Sequence, residues 1–205
     1  DLGAPLYVVH TSAKESVDAI QYLHGRGVHI YGETCPHYLL LTRDAEADVL
    51  AKVNPPLRQE ADCQRLWQGV REGTITTIGT DHCPHKRTAK EGGIWEATPG
   101  FGSIGATLPL LVSEGVNKGR ISWEHLARIT SENVARTFGI YPQKGALSPG
   151  SDADIILVDP NQEWTLTAGE LHSACDFSIY EGMKVKGRVV KTYVRGQLVA
   201  ENGHP

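Results

Sequence analysis

Residues 77–85 read TIGTDHCPH. The β-branched run Thr76, Thr77, Ile78 has the composition of a strand, and Gly79 breaks it. Asp81, His82, Cys83 and His85 follow, so four of the last five residues can ligate a metal or carry a proton. The reading is a strand, Thr74–Gly79, that delivers polar groups at its C-terminal end. A parallel βα array carries its chemistry at such ends.

The segments upstream fit that array. Leu6–Val9 is an apolar, Val-rich strand that ends at His10. Thr11 or Ser12 is expected to cap a helix, with Glu15 three residues after Ser12 completing a capping box. Val17, Ile20 and Leu23 repeat at helical spacing, and Gly25 and Gly27 end the helix. Val28–Tyr31 is the next strand, closing at Gly32-Glu33-Thr34. Strand, helix and strand in this order predict a parallel sheet.

Further on, residues 44–52 predict a short acidic helix, and VNPPLR (53–58) an extended loop, since two prolines exclude helix. Glu60–Glu72 is helical, with Leu66, Trp67 and Val70 on one face. His82–Ser103 is long, Gly-rich and irregular, the kind of loop that carries function. Helices are expected over Leu108–Glu114, Ser122–Thr130 and Ser131–Phe138, the last capped by Ser131. The character then changes: residues 144–160 read as a turn and a strand. Val189–Val194 and Leu198–Ala200 read as a hairpin turning at Arg195-Gly196. The fold class is α/β, with an α/β part over 1–143 and a small β part over 144–205.

Composition is that of a globular protein: 205 residues, 21% charged, 40% hydrophobic, net charge −4. Acids and bases are interspersed, so neither a nucleic-acid stripe nor a polybasic tail is present. Leu6–Val9, Leu108–Val112 and Ile155–Val158 are far shorter than the ~20 residues of a membrane helix. The opening DLGAPLYVVH has no basic start and no long apolar core, so no signal peptide is expected. Cys35, Cys63, Cys83 and Cys175 form no C-x-x-C pair and read as free thiols of a reducing compartment. The strand-like PLYVVH begins at once, as if in mid-core, which leads us to expect the C-terminal part of a longer protein.

Three strand ends present His10, Glu33 and Asp81. Imidazole and carboxylate are good ligands for zinc or a similar divalent ion. A carboxylate beside a metal can also take the proton of a bound water and pass it to a leaving group. The alternatives are structural: a hydrogen-bonded His10, and an Asp81 that caps the turn after it. His82, Cys83 and His85 do not complete a site, because H-C-P-H matches no standard zinc spacing. His37 in ETCPHYLLLT carries the same ambiguity.

Six motifs occur in order: LYVVHTS, YGETCPHYLLLT, NPPLR, GTDHCPH, GSDADIILVDP and YEGMKVKGRVVKTYVRGQLV. Together they resemble the C-terminal half of the cyclic amidohydrolases, meaning the hydantoinases and dihydropyrimidinases, with dihydroorotases and allantoinases close by. The resemblance implies the last three strands of a TIM-like (β/α)8 barrel over 1–143 and the C-terminal part of a small β-sandwich over 144–205. It implies a pair of divalent metal ions, usually zinc, and ring opening of a cyclic amide to an N-carbamoyl amino acid. By motif, His10 matches a metal ligand of the sixth strand. Asp81 matches the eighth-strand aspartate, both ligand and proton shuttle.

Asn54 and His85 stand where dihydroorotases carry the same residues, whereas CDFSIYEGMKVKG follows the hydantoinase pattern. Pro99 falls where hydantoinases place an Asn that meets substrate through its backbone, and proline has no N–H to offer. Arg58 is a candidate partner for a substrate carboxylate. The family's first-strand H-x-H, fourth-strand carboxylated lysine and fifth-strand histidine have no counterpart in these residues. The isolated chain is therefore expected to be inactive. The implied partners are a small cyclic amide and further copies of the chain, as a homotetramer, with neither nucleic acid nor membrane; the implied compartment is the cytoplasm. Relatives that have lost their metal ligands and act as assembly proteins are the non-enzymatic alternative.

Overall fold

The computed structural model describes residues 3–45 and 48–204. The chain forms two compact units. One comprises Asp1–Thr107 with Thr167–Glu181, the other Leu108–Leu166 with Gly182–Pro205. This division differs from a cut at 143/144, since residues 108–143 group with the later strands and 167–181 with the earlier ones.

The first unit holds β1 (Leu6–Val8), α1 (Lys14–Gly25), β2 (Ile30–Thr34), α2 (Pro36–Leu40), α3 (Glu60–Glu72) and β3 (Ile75–Ile78). The strands lie in the order β1-β2-β3, all parallel. The α/β class is thus observed. α3 has the bounds its periodicity predicts, and Leu66, Trp67 and Val70 are all buried. Each such burial contributes roughly 1.5–3 kcal/mol. Gly69 lets α3 approach α1, because a Cβ there would meet Val17 Cγ1 at 2.8 Å.

Two local expectations fail, the first for a tertiary reason. Neither Thr11 nor Ser12 caps α1. Its N-cap is Ala13, with no side-chain cap, and the Lys14 N–H is accepted by Asp62 Oδ1 of α3 at 2.9 Å. Asp62 Oδ2 also accepts from the Gln59 N–H, so one carboxylate serves two helix starts. The second strand begins at Ile30 rather than Val28 and runs through Gly32-Glu33-Thr34. Of the acidic helix expected over 44–52, a 3-10 turn is present over Asp48–Ala51, and residues 46–47 lie outside the described residues.

The second unit holds the rest of α4 (Ile104–Leu110), then α5 (Trp123–Ala127), α6 (Asn133–Thr137), β4 (Ile155–Thr165), β5 (Lys184–Val194) and β6 (Gln197–Glu201). Pro109 lies inside α4, and the helix widens to a π-helix over Leu111–Val116. Proline removes an N–H donor from the regular ladder. The helices expected over 122–130 and 131–138 are continuous, because a π-helix over Arg128–Glu132 joins α5 to α6. Ser131 lies inside that join and caps nothing, whereas Ser122 does cap α5, accepting from the His125 N–H. β4, β5 and β6 form an antiparallel sheet in that order. Arg195 and Gly196 turn the β5–β6 hairpin with φ of 51° and 80°, as a two-residue type I′ turn requires. No described helix is long and apolar enough to cross a membrane.

His37 of α2 is 0% exposed, and neither ring nitrogen has a hydrogen-bond partner. Burial, with His10 as a second cause, pushes its pKa down to about 3. The unfolded imidazole, near 6.5, binds a proton that the folded one refuses, so stability is complete above that pH and is lost as pH falls towards about 3. In the metal-free full-length protein, His37→Leu should flatten the acid side of the stability curve. The slope lost is up to about 1.4 kcal/mol per pH unit between those limits, read by urea unfolding at stepped pH.

Candidate active site

Parallel pairing of β1, β2 and β3 aligns their C-terminal ends, which deliver His10, Glu33 and Asp81. His10 and Asp81 share an uncommon backbone, with φ of 40° and 47°. A non-glycine residue in that region is held at a cost of about 1–3 kcal/mol, and such residues cluster at functional sites. Both are half-buried. Among the described residues, neither the His10 ring nor the Asp81 carboxylate has a hydrogen-bond or ion-pair partner. The structural alternatives, a hydrogen-bonded His10 and a turn-capping Asp81, are therefore not what these side chains do. Imidazole and carboxylate together suit a zinc-like divalent ion. No group of three or more His, Cys, Asp or Glu side chains converges to hold a metal among the described residues.

Glu33 stands between the two ends. Its Oε2 accepts from the Tyr7 hydroxyl at 2.7 Å and its Oε1 from the His10 backbone N–H at 3.3 Å. The Tyr7 hydroxyl also bonds Thr77 Oγ1 at 2.7 Å, which links β1, β2 and β3 in one row. Burial, helped by Glu33 and opposed by the Thr77 bond, raises the Tyr7 hydroxyl well above its ordinary pKa. The register slips at this level: Gly32 pairs with Ile75 but Glu33 with Thr77, leaving Thr76 as a bulge. The Thr76 hydroxyl closes the gap by donating to the Gly32 carbonyl at 3.1 Å. Bulges re-aim side chains, and this one sits beside Glu33.

Two further residues of TIGTDHCPH, His82 and Cys83, make structural contacts. His82 Nδ1 accepts the backbone N–H groups of Ser103 and Ile104 at 3.0 and 3.2 Å, so the ring serves the start of α4 and that nitrogen is occupied. Ser103 Oγ donates to the Thr80 carbonyl. The Cys83 N–H donates to the Phe101 carbonyl, and burial, then Asp81, raises its thiol pKa. All four cysteines are free thiols.

Asn54, His85 and Pro99 lie on two loops that share an anchor. The Lys52 carbonyl, two residues before Asn54, accepts both the Gly100 N–H at 2.8 Å and the Lys90 ammonium at 3.0 Å. Lys90 is 2% exposed, and burial lowers its pKa. The NPPLR loop is tied again by the Tyr38 hydroxyl, which donates to the Pro55 carbonyl at 2.6 Å. Gly100, next to Pro99, has φ 105°, and a Cβ there would meet Cys83 Cβ at 2.6 Å and His85 Cδ2 at 3.7 Å. The backbone thus gathers the neighbourhoods of Asn54, His85 and Pro99, with Asn54 and Pro99 exposed and His85 half-buried. Arg58 Nε reaches Ser12 Oγ at 3.4 Å, two residues beyond His10.

Sequence reading missed Tyr7, Thr77 and Lys90. A hydroxyl or carboxylate inside each of three neighbouring strands is a signal for the Tyr7–Glu33–Thr77 row, although Tyr31, Thr34 and Thr76 share it. Lys90 has no such signal, because a lysine in a polar loop reads as exposed.

The amidohydrolase family profile matches residues 8–199. The chain belongs to the amidohydrolase family. This amidohydrolase segment is 38% identical over 208 aligned positions to an L-hydantoinase of Paenarthrobacter aurescens, covering 99% of the chain and 45% of that protein. It is 36% identical to a D-phenylhydantoinase of Escherichia coli O127:H6, with 98% and 45% coverage. It superposes on a crystal structure of dihydropyrimidinase from Brevibacillus agri with a TM-score of 0.94 and 36% identity, covering 98% of this chain and 46% of that one. The amidohydrolase chain therefore spans about half the length of the curated relatives it matches.

In the full-length amidohydrolase, Gly100→Ala adds a methyl group against Cys83 in a backbone region that favours glycine. It should lower unfolding free energy by about 1–3 kcal/mol in denaturant titrations. Cys83→Ala should leave the same glycine substitution almost as costly, because the strained φ remains.

Proposed function

We propose that the intact protein is a metal-dependent hydrolase of a cyclic amide, opening a hydantoin or dihydropyrimidine ring to an N-carbamoyl amino acid. The observation that carries this reading is the pair His10 and Asp81, unpartnered, half-buried and left-handed at the ends of two strands of one parallel sheet. Similarity to proteins named hydantoinase and dihydropyrimidinase supports it. In this reading, residues 1–143 are the last three strands of a TIM-like (β/α)8 barrel with its closing helices, and 144–205 part of a small β-sandwich. The remaining ligands belong to parts of the protein outside these residues, which agrees with the 45% coverage of its relatives. The 205 residues alone are inactive on this reading.

His10 would hold a divalent ion through one imidazole nitrogen, and Asp81 through its carboxylate. When bound, the metal pair, zinc in this reading, polarises the amide carbonyl and makes water nucleophilic near neutral pH. Asp81 takes the proton of the attacking water and returns it to the ring nitrogen as the C–N bond breaks. The water oxygen ends on the carbonyl carbon, and the products are the carboxylic acid and the protonated carbamoyl nitrogen of one opened chain. Asn54, His85 and Pro99 serve the substrate, Pro99 through its carbonyl. Free cysteines fit a cytoplasmic setting, and the assembly in this reading is a homotetramer.

Asp81→Asn keeps the shape of the site and removes the proton carrier. Ring opening by the full-length variant should fall at least ~10²-fold. Unchanged turnover would sink the mechanism. Assaying hydantoin, dihydrouracil, dihydroorotate and allantoin side by side separates the ring classes. Asn54 and His85 favour dihydroorotate, with Arg58 beside its carboxylate. No turnover of any of the four by a zinc-loaded protein would favour an assembly role.

A further inference from the structure

We infer that Glu33 is the positioning residue that sets the spacing of the two metal-bearing strand ends, holding His10 through its backbone and Asp81 through Gly79. The inference rests on the reading of His10 and Asp81 as metal ligands.

On the β1 side the link is a hydrogen bond. Glu33 Oε1 accepts the N–H of His10 itself, and the Glu33 backbone carbonyl accepts the N–H of Thr11 at 2.7 Å. The Thr34 hydroxyl then donates to the Thr11 carbonyl at 2.7 Å. His10 thus has its backbone held from both sides in the left-handed region, where a free peptide seldom rests.

On the β3 side the link is steric. Gly79 is two residues before Asp81, and a Cβ built on it would fall within 2.7 Å of all three terminal atoms of the Glu33 side chain. The carboxylate therefore lies directly against the Gly79 backbone. Gly79 does not adopt a positive φ, so conformational freedom does not account for a glycine there; space for the carboxylate does. The Gly79 N–H donates to the Thr34 carbonyl at 2.9 Å, which fixes the height at which β3 passes Glu33.

The Tyr7 hydroxyl on Oε2 and the Thr76 bulge fix the rotamer of Glu33 between those two contacts. Among the described residues, Glu33 makes no hydrogen bond or ion pair with the His10 ring or the Asp81 carboxylate, so its part is to place them. Groups that orient metal ligands typically change metal affinity 10–100-fold when removed.

The test is a double-mutant cycle in the full-length protein, reading zinc affinity by competition with a chelator and folding by thermal unfolding of the metal-free form. Glu33→Ala should weaken zinc binding about 10–100-fold. Glu33→Gln, which keeps the shape, should recover most of that loss. Gly79→Ala in the presence of Glu33 should weaken zinc binding comparably, by pushing the carboxylate aside. In the Glu33→Ala background the methyl group has room, and Gly79→Ala should cost nothing further. Equal costs of Gly79→Ala in both backgrounds, or zinc affinity that follows thermal stability alone across the four proteins, would overturn the inference. Asp81→Asn is the control for the underlying reading. If it leaves zinc affinity and ring opening intact, the ligand assignment fails. If it abolishes both while the cycle shows no coupling, the role of Glu33 alone fails.

Discussion

A carboxylate wedged between three parallel strands is the constraint on which the site depends. Glu33 accepts from the hydroxyl of Tyr7 and the amide of His10, and it occupies the space that a side chain at Gly79 would need. Parallel pairing brings strand ends level, but level is not enough for chemistry. Beyond the ladder, the Thr11 N–H on the Glu33 carbonyl and the Gly79 N–H on the Thr34 carbonyl tie neighbouring strand ends by backbone alone. The Glu33 side chain adds a link that reaches both neighbouring strands at once.

The loops obey the same logic with a different anchor. One carbonyl, that of Lys52, accepts both the Gly100 N–H and the buried Lys90 ammonium. An ammonium has three donors and no directional preference among loops, so it can gather backbone that forms no regular structure. Tyr38 ties the NPPLR segment a second time. Residues 89–100 and 52–58 are held close without a strand or helix of useful length between them. In an irregular region every backbone donor and acceptor still needs a partner.

The chain belongs to the amidohydrolase family and covers 45% of the L-hydantoinase and of the D-phenylhydantoinase it is similar to. His10 and Asp81 stand at the ends of two strands of one parallel sheet, and among the described residues no group of three or more His, Cys, Asp or Glu converges to hold a metal. His82 illustrates how local composition misleads. It stands next to Asp81 in a string of ligand-type residues, yet its Nδ1 is taken up by the start of α4.

The sequence by itself determined the elements whose cause is local. The β-branched runs, the apolar face of α3 and the Arg195-Gly196 hairpin follow from side-chain period and backbone preference. The positions of His10 and Asp81 at strand ends follow too, because a strand's end is marked by where its apolar run stops. Tertiary structure decided whatever depends on a partner far along the chain. α1 is capped by Asp62 instead of Ser12, because a carboxylate from α3 lies nearer its first amide. Glu33, Tyr7 and Thr77 become one row only when the register of three strands is set, and Lys90 is buried only because two loops close over it. Single-residue preferences are short-ranged, whereas the row, the Asp62 bond to the start of α1 and the buried ammonium are contacts between residues more than twenty positions apart, which only the folded chain brings together.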